Sequence, residues 1–320
     1  MVNLPPPRLP SRKTTGHKGD FGLVAVVGGC ALAKTRMIGA PALAAHAATR
    51  AGAGLVQLVS PDGVINEALA IASHATGRAL PTDAGGALLA SESVAILDTI
   101  FEEADAVVIG PGLGRGPGPA ALALRAVQQR LTPVIVDADA LNELAGTPQL
   151  ALDFHAPAII TPHPGEFARL AEALAMDTNA TDDATRPSAA EQLAQRLGCV
   201  VVLKGARTVV SDGLRTWSDD TADSALATGG TGDVLAGLIG GLVAQYARPV
   251  AHELARSKLG GQGRHLPDDG RLTLFEIARC AVVGHAHAAK LWREHHHASA
   301  GLTPMDLAEE LPEALTALRG

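Results

Sequence analysis

Aromatic side chains make up only 2% of the 320 residues, so any core has to be built from Ala, Val, Leu and Ile, which a 47% apolar content supplies. Cysteine is equally sparse: Cys30, Cys199 and Cys280 lie far apart with no paired spacing. That spacing excludes a disulfide framework and a zinc motif and leaves buried thiols in a reducing compartment. Positive charge is in deficit, with a formal net charge of -7 and a pI of about 5.9, which argues against nucleic acid or an anionic membrane as partner. No uninterrupted apolar run reaches the roughly 18 residues that span a bilayer, and prolines stand at 5 to 7 where a signal peptide needs its apolar core. The expected location is the cytoplasm. A Gly-Lys-Ser/Thr triplet is missing, and Gly110, Gly112 and Gly114 fail the dinucleotide fingerprint, so a nucleotide would be bound in another way.

Glycine is plentiful, with 35 residues, and it punctuates a regular alternation of short apolar runs and alanine-rich helical stretches. Residues 1–18, with four prolines and no apolar period, read as an extended or mobile arm. Strands are expected at Phe21–Val27, Leu55–Val59, Ala106–Ile109, Pro133–Val136, Ala158–Thr161 and Val200–Lys204. Helices are expected at Met37–Ala51, Ser91–Phe101, Ala120–Gln129, Phe167–Ala175 and Ala189–Leu197. Thr208–Ser211 and Leu214–Trp217 read as a hairpin around Asp212-Gly213 at a sheet edge. A helix from Gly232 to Tyr246, an inserted loop at 248–270, and helices at Thr273–Glu294 and Pro304–Leu318 complete the pattern. This is an α/β chain with a mostly parallel sheet covered on both faces, in one domain over residues 19–320. Such sheets bind ligands at the carboxyl ends of their strands.

The stretch that organises the chain is Ala227-Thr228-Gly229-Gly230-Thr231-Gly232-Asp233, which opens directly into the apolar run Val234–Ile239. A glycine-rich turn entering a helix leaves backbone N–H groups unpaired at the positive end of the helix dipole, which favours an anion such as phosphate. Asp233 in the first turn then stands as a base that accepts a proton from an attacking hydroxyl. Thr231 or Asp233 merely capping the helix fits these seven residues equally well.

Seven stretches taken in order resemble the ADP-dependent NAD(P)H-hydrate dehydratases of the ribokinase-like superfamily. They are His17–Gly22, Gly39–Val56 with its Ala51-Gly52-Ala53-Gly54 turn, Val108–Gly114, Asp137–Asn142, Thr161–Glu166, Val202–Thr208 and the Asp233 stretch. The resemblance runs from about His17 to Leu315. It implies a three-layer α/β/α sandwich, and an enzyme that uses ADP, with Mg2+, to phosphorylate the ring hydroxyl of (6S)-NADHX or NADPHX. Loss of that phosphate returns NADH or NADPH, with AMP and phosphate released.

By the same resemblance Asp233 is the general base, and the amides from Gly230 through Gly232 to Asp233 form the anion hole. Lys204, Gly205, Ala206, Arg207 and Thr208, with Gly232, contact the nucleotide. Pro41, Gly112, His163 and Asp233 contact the hydrate. An Asp at its ordinary pKa of roughly 3.9 would be ionised for this task at neutral pH. The family also implies a homotetramer and, because no N-terminal epimerase domain is read here, an NAD(P)HX epimerase on a separate chain.

Each of these residues also has a plainer reading. His163 fixes a turn, Lys204 ends a strand in solvent, Thr208 is an ordinary strand residue and Glu166 belongs to a helix first turn. Pro41 suits the start of a helix. Asp137 and Asp139 suit either organising magnesium waters or capping the helix at Ala140. The run His295–His297 reads as a solvated helix end, and no metal is assigned to protein ligands. Thr231 replaces the family's usual Met, and Asp223 and Ala225 replace Asn and Gly. A carboxylate at 223 is expected to weaken nucleotide affinity or alter the metal requirement. Two rivals remain: a small-alcohol or vitamin-precursor kinase of the hydroxyethylthiazole kinase type, and a non-catalytic nucleotide sensor.

Overall fold

A computed structural model describes residues 4–247 and 271–319. The inserted loop expected at 248–270 lies outside the described residues. Eleven strands are described: β1 (Leu23–Val27), β2 (Cys30–Leu32), β3 (Thr35–Met37), β4 (Leu55–Pro61), β5 (Thr76–Leu80), β6 (Ala106–Ile109), β7 (Val134–Val136), β8 (Ala158–Ile160), β9 (Val200–Leu203), β10 (Val209–Ser211) and β11 (Thr216–Ser218). Nine of them form one sheet in the order β11-β10-β9-β8-β7-β6-β1-β4-β5, while β2 and β3 form a separate hairpin. The pairs from β5 across to β9 are parallel. In this sheet only β10 is reversed, antiparallel to both β9 and β11 at one edge, as the hairpin around Asp212-Gly213 predicts.

Successive strand residues face opposite sides of the sheet, and both sides are apolar. Val24 and Val26 face one core, Ala25 and Val27 the other. The first core is closed by α1 (Gly39–Arg50), α2 (Ile65–Ile71), α9 (Thr231–Tyr246), α10 (Leu274–His296) and α11 (Pro304–Thr316). The second is closed by α3 (Ala90–Glu103), α4 (Pro117–Gln128), α5 (Ala138–Leu144), α6 (Leu150–Asp153), α7 (Pro164–Ala173) and α8 (Arg186–Leu197). This is the three-layer α/β/α sandwich with a mostly parallel sheet. Among the described residues, no helix is long and apolar enough to cross a membrane.

Helix α9 is the element that positions the site. It packs on α1 so closely that a Cβ at Gly237 would collide with the carbonyl of Ala44, and one at Gly241 with that of Ala48. Small residues on both helices therefore fix how far the α9 N-terminus reaches over the strand ends.

Over its described residues, 4–18, the arm expected to be extended or mobile is pinned to the rest of the fold. Leu9 is 2% exposed and its N–H donates to Leu318 O at 2.9 Å. Arg12 lies over the Phe21 ring at 3.5 Å and donates to Gln245 Oε1 at 2.7 Å. The other departures have local causes. β1 starts at Leu23 because Lys18–Phe21 forms a capped 3-10 turn. Helix α7 starts at Pro164, three residues before the expected Phe167, because His163 and Glu166 close a capping box around it. The hairpin β2–β3, helix α2 and strand β5 were not expected from the sequence. Each is short, and exposed residues such as Thr35, Arg36 and Thr76 obscure its apolar pattern.

Candidate active site

The carboxyl ends of β6, β7, β8 and β9 deliver Gly110-Pro111-Gly112, Asp137, His163 and Lys204 to one edge of the sheet, facing the N-terminus of α9. Gly230 enters α9 with φ 96 and ψ -14, and no side chain caps the helix. The first-turn amides consequently have no acceptor within the helix. The capping reading of Thr231 and Asp233 is thus not realised: the Thr231 hydroxyl points back into the turn, 2.9 Å from Leu226 O and 3.0 Å from Thr228 O.

Lys204 Nζ donates to Asp137 Oδ1 at 2.7 Å and lies 3.8 Å from Glu166 Oε2. It is also the atom that a Cβ on Gly232 would meet, at 3.5 Å. The strand-end-in-solvent reading of Lys204 is therefore wrong. Burial works against its ammonium, but Asp137, Glu166 and Asp233 outweigh that and raise its pKa above the ordinary lysine value. Asp137 is 1% exposed and also accepts from Thr161 Oγ1 at 2.7 Å. It precedes α5 without capping it, so its carboxylate serves the Lys204 ion pair. Asp139 accepts from Gly114 N at 2.9 Å and ties α5 to the glycine loop after β6.

Asp233 is partly buried in this group of carboxylates. Burial, followed by repulsion from Asp137, pushes its pKa up to about 7; Lys204 opposes the shift, while Asp139 and Glu166 add to it. An Asp ionised at its ordinary pKa is thus not what the free protein holds. Glu166, 4% exposed, is likewise pushed up to about 7, chiefly by burial. Groups coupled this closely titrate together as a set.

His163 fixes the turn and also stands in the wall of a cleft. Its Nδ1 accepts from Gly165 N at 3.0 Å and from Glu166 N at 3.4 Å, capping α7, while its ring lines a cleft of about 750 Å³. Burial, then Lys204, lowers its pKa and keeps the ring neutral. The same cleft is lined by Lys204, Gly205, Ala206, Thr208, Asp223, Thr231, Gly232 and His285. Arg207 is exposed and, like Gly230, does not line it. Pro41 and Gly112 also lie outside the cleft wall, and they adjoin each other: a Cβ on Gly112 would meet Pro41 Cδ at 3.5 Å. Apart from Arg207 and Gly230, the predicted site residues therefore fall into a cleft group and a Pro41–Gly112 group, with Asp233 in the wall of neither but electrically coupled to both Lys204 and Asp139.

Three features were not anticipated. Asp223 does not stand as an isolated charge: it accepts from Ala225 N at 2.9 Å and pairs with Arg293 at 3.1 Å, which reduces its repulsion of a phosphate. Lys204 and Asp137, 67 positions apart, form the central ion pair. His285, a polar residue on the apolar face of α10, reaches Thr231 O at 2.9 Å. That break in the apolar face was the only trace of it in the sequence.

The sequence profile of the NAD(P)H-hydrate dehydratases matches residues 24–313. The bifunctional NAD(P)H-hydrate repair enzyme Nnr of Moorella thermoacetica is 39% identical over 247 residues, 76% of this chain and 44% of that protein. The chain thus spans about half the length of the curated relatives it matches. Among solved structures, the ADP/ATP-dependent NAD(P)H-hydrate dehydratase from Bacillus subtilis, co-crystallized with ATP/Mg2+, is 26% identical, with a TM-score of 0.72 over 98% of this chain and 95% of that one. A ribokinase-like superfamily protein from Enterococcus faecalis shares the fold at 21% identity, with a TM-score of 0.72 over 98% and 93% of the two chains. The chain belongs to the NAD(P)H-hydrate dehydratase family.

Proposed function

We propose that this chain dehydrates (6S)-NADHX and NADPHX to NADH and NADPH with ADP as phosphoryl donor, releasing AMP and phosphate. The observation that carries the reading is the grouping of Asp233 and the uncapped α9 amides beside the Lys204–Asp137 pair. Here Gly230, Gly232 and Asp233 supply amides to the phosphoryl oxygens, and Lys204 supplies positive charge. Lys204, Gly205, Ala206 and Thr208, with Gly232, take the nucleotide side, and Arg207, exposed on the same turn, would contact the nucleotide from outside the cleft wall. Pro41, Gly112 and His163 hold the hydrate.

Asp233, once ionised, takes the proton of the ring hydroxyl as that oxygen attacks the β-phosphorus of ADP and the bond to AMP breaks. The ring nitrogen then expels phosphate with cleavage of the C–O bond, and a proton leaves the neighbouring ring carbon.

The donor set suits Mg2+: carboxylates of Asp137, Asp139, Glu166 and Asp233 outnumber the one ammonium among them, and hard oxygen donors are what this ion takes. Asp137 and Asp139 would hold it through water, and it would supply charge neutralisation to the phosphates. The same charge would favour the ionised form of Asp233 at neutral pH. We further propose a homo-oligomeric, tetrameric assembly in the cytoplasm, and functional partnership with an NAD(P)HX epimerase that supplies the S epimer.

The test is to incubate the protein with NADHX or NADPHX and either ADP or ATP, and to follow the return of the reduced-nicotinamide absorbance. Recovery that requires a nucleotide supports the reading. No recovery with either nucleotide, together with phosphorylation of simple alcohols, would replace it with a kinase.

A further inference from the structure

His285 is 9% exposed and its Nε2 lies 2.9 Å from the carbonyl oxygen of Thr231, the first residue of α9. A carbonyl only accepts, so Nε2 bears the proton and donates. Burial pushes the imidazole down to about 4, so the ring is neutral through the physiological range and has no charge of its own to offer a phosphate. The remaining nitrogen, Nδ1, is thereby the unprotonated one.

The geometry matters because Thr231 C=O and Gly232 N–H are two ends of one planar peptide unit. Fixing the oxygen fixes the direction of the N–H at the other end. A donor on the oxygen also draws electron density along the amide and makes that N–H a stronger donor in turn. The flanking residue is held too, since the Thr231 hydroxyl reaches back to Leu226 O and Thr228 O at 2.9 and 3.0 Å. Both His285 and Gly232 line the same cleft, together with Leu226, Ala227 and Thr231.

We propose that His285 is a positioning residue for the phosphate seat: by donating to Thr231 C=O it aims and polarises the Thr231–Gly232 peptide, so that Gly232 N–H meets the phosphoryl oxygens without rearrangement. The assignment rests on reading the α9 N-terminus as that seat. The Thr231 hydroxyl anchors the same residue to the turn that precedes it.

The test compares His285→Met, which fills the space but cannot donate, with His285→Gln, whose amide nitrogen can take the place of Nε2. For H285M we expect ADP to bind about tenfold more weakly and kcat to fall about tenfold, with KM for the hydrate unchanged; for H285Q both should stay within about threefold of the parent, because a weakened donor costs less than the 10²–10³ of a deleted one. The Gly232 amide resonance should shift in H285M and return towards its parent position in H285Q. Normal ADP affinity, kcat and Gly232 resonance in a folded H285M overturn the proposal, as does an equal loss in both variants with the Gly232 resonance unmoved. Should neither variant fold, imidazole ¹⁵N shifts of the unsubstituted protein still decide: the Nε2–H tautomer is required, and the Nδ1–H tautomer or an imidazolium at neutral pH refutes it. If the unsubstituted protein restores no NAD(P)H, the dehydratase reading fails, while ADP affinity and the Gly232 resonance still test the role of His285.

Discussion

Replacing Asp233 with Asn should cut turnover sharply and at the same time stabilise the free protein at high pH. Burial and neighbouring carboxylates raise the Asp233 pKa from 3.8 to about 7. A raised folded-state value means that the native state prefers the protonated acid, so stability falls as pH rises from the unfolded value through the folded one. At 1.36 kcal/mol per unit the full displacement is worth about 4 kcal/mol, and we expect about 2 to 4 kcal/mol because the carboxylate is only partly buried and solvent screens it. The neutral amide of D233N removes this penalty. Urea unfolding midpoints with EDTA present should therefore separate the two proteins little at pH 4 and most above pH 7, with D233N the more stable. Turnover in the same variant should drop by a factor on the order of 100 or more, with ADP binding retained. A D233N protein less stable than its parent at pH 8, or a stability difference that does not grow with pH, would refute the account of the carboxylate cluster. Near-normal turnover would remove Asp233 from the chemistry.

Three further outcomes follow from the same geometry. Lys204→Met leaves Asp137, 1% exposed, without its cation and should cost about 3–5 kcal/mol in urea unfolding, much of it recovered in the K204M/D137N double variant; strictly additive losses would show that the pair is not coupled. Arg293→Ala frees the carboxylate of Asp223 beside the cleft and should weaken ADP binding about threefold at low salt, with D223N restoring it; no change in calorimetric affinity would contradict this. His285, with its pKa driven down to about 4 by burial, contributes stability that is complete above about 6.5 and is lost as pH falls towards 4, roughly 3 kcal/mol in all. The unfolding midpoint of H285Q should be less sensitive to pH over that window, and an unaltered slope would count against a neutral buried ring.

Apart from its edge strand β5, the sheet was legible in the sequence because its strands are short apolar runs such as Ala106–Ile109 and Val200–Leu203, buried on both faces and followed closely by Gly. The strand-end motifs were legible for the same reason, since the turn after each run carries the polar residue. Besides the short, half-exposed elements β2, β3, α2 and β5, what escaped depends on packing between distant segments. Leu9 looks like part of a proline-rich arm until the C-terminal residues Leu318 and Arg319 are placed beside it. Lys204 looks like a solvent-facing strand end until Asp137 and Glu166 arrive from β7 and α7. The pKa of Asp233 was misjudged because desolvation is a property of the assembled site, and a sequence offers only the ordinary value. The α9 N-terminus was undecided between a cap and an anion seat, and the Thr231 hydroxyl turned away from the helix decides against the cap.

The central claim is that the ring hydroxyl itself becomes phosphorylated before it leaves. NADPHX carrying ¹⁸O in that hydroxyl, turned over with ADP and Mg2+, tests this directly. The account predicts one ¹⁸O in the inorganic phosphate for each NADPH and AMP formed; recovery of the label in water instead would contradict it.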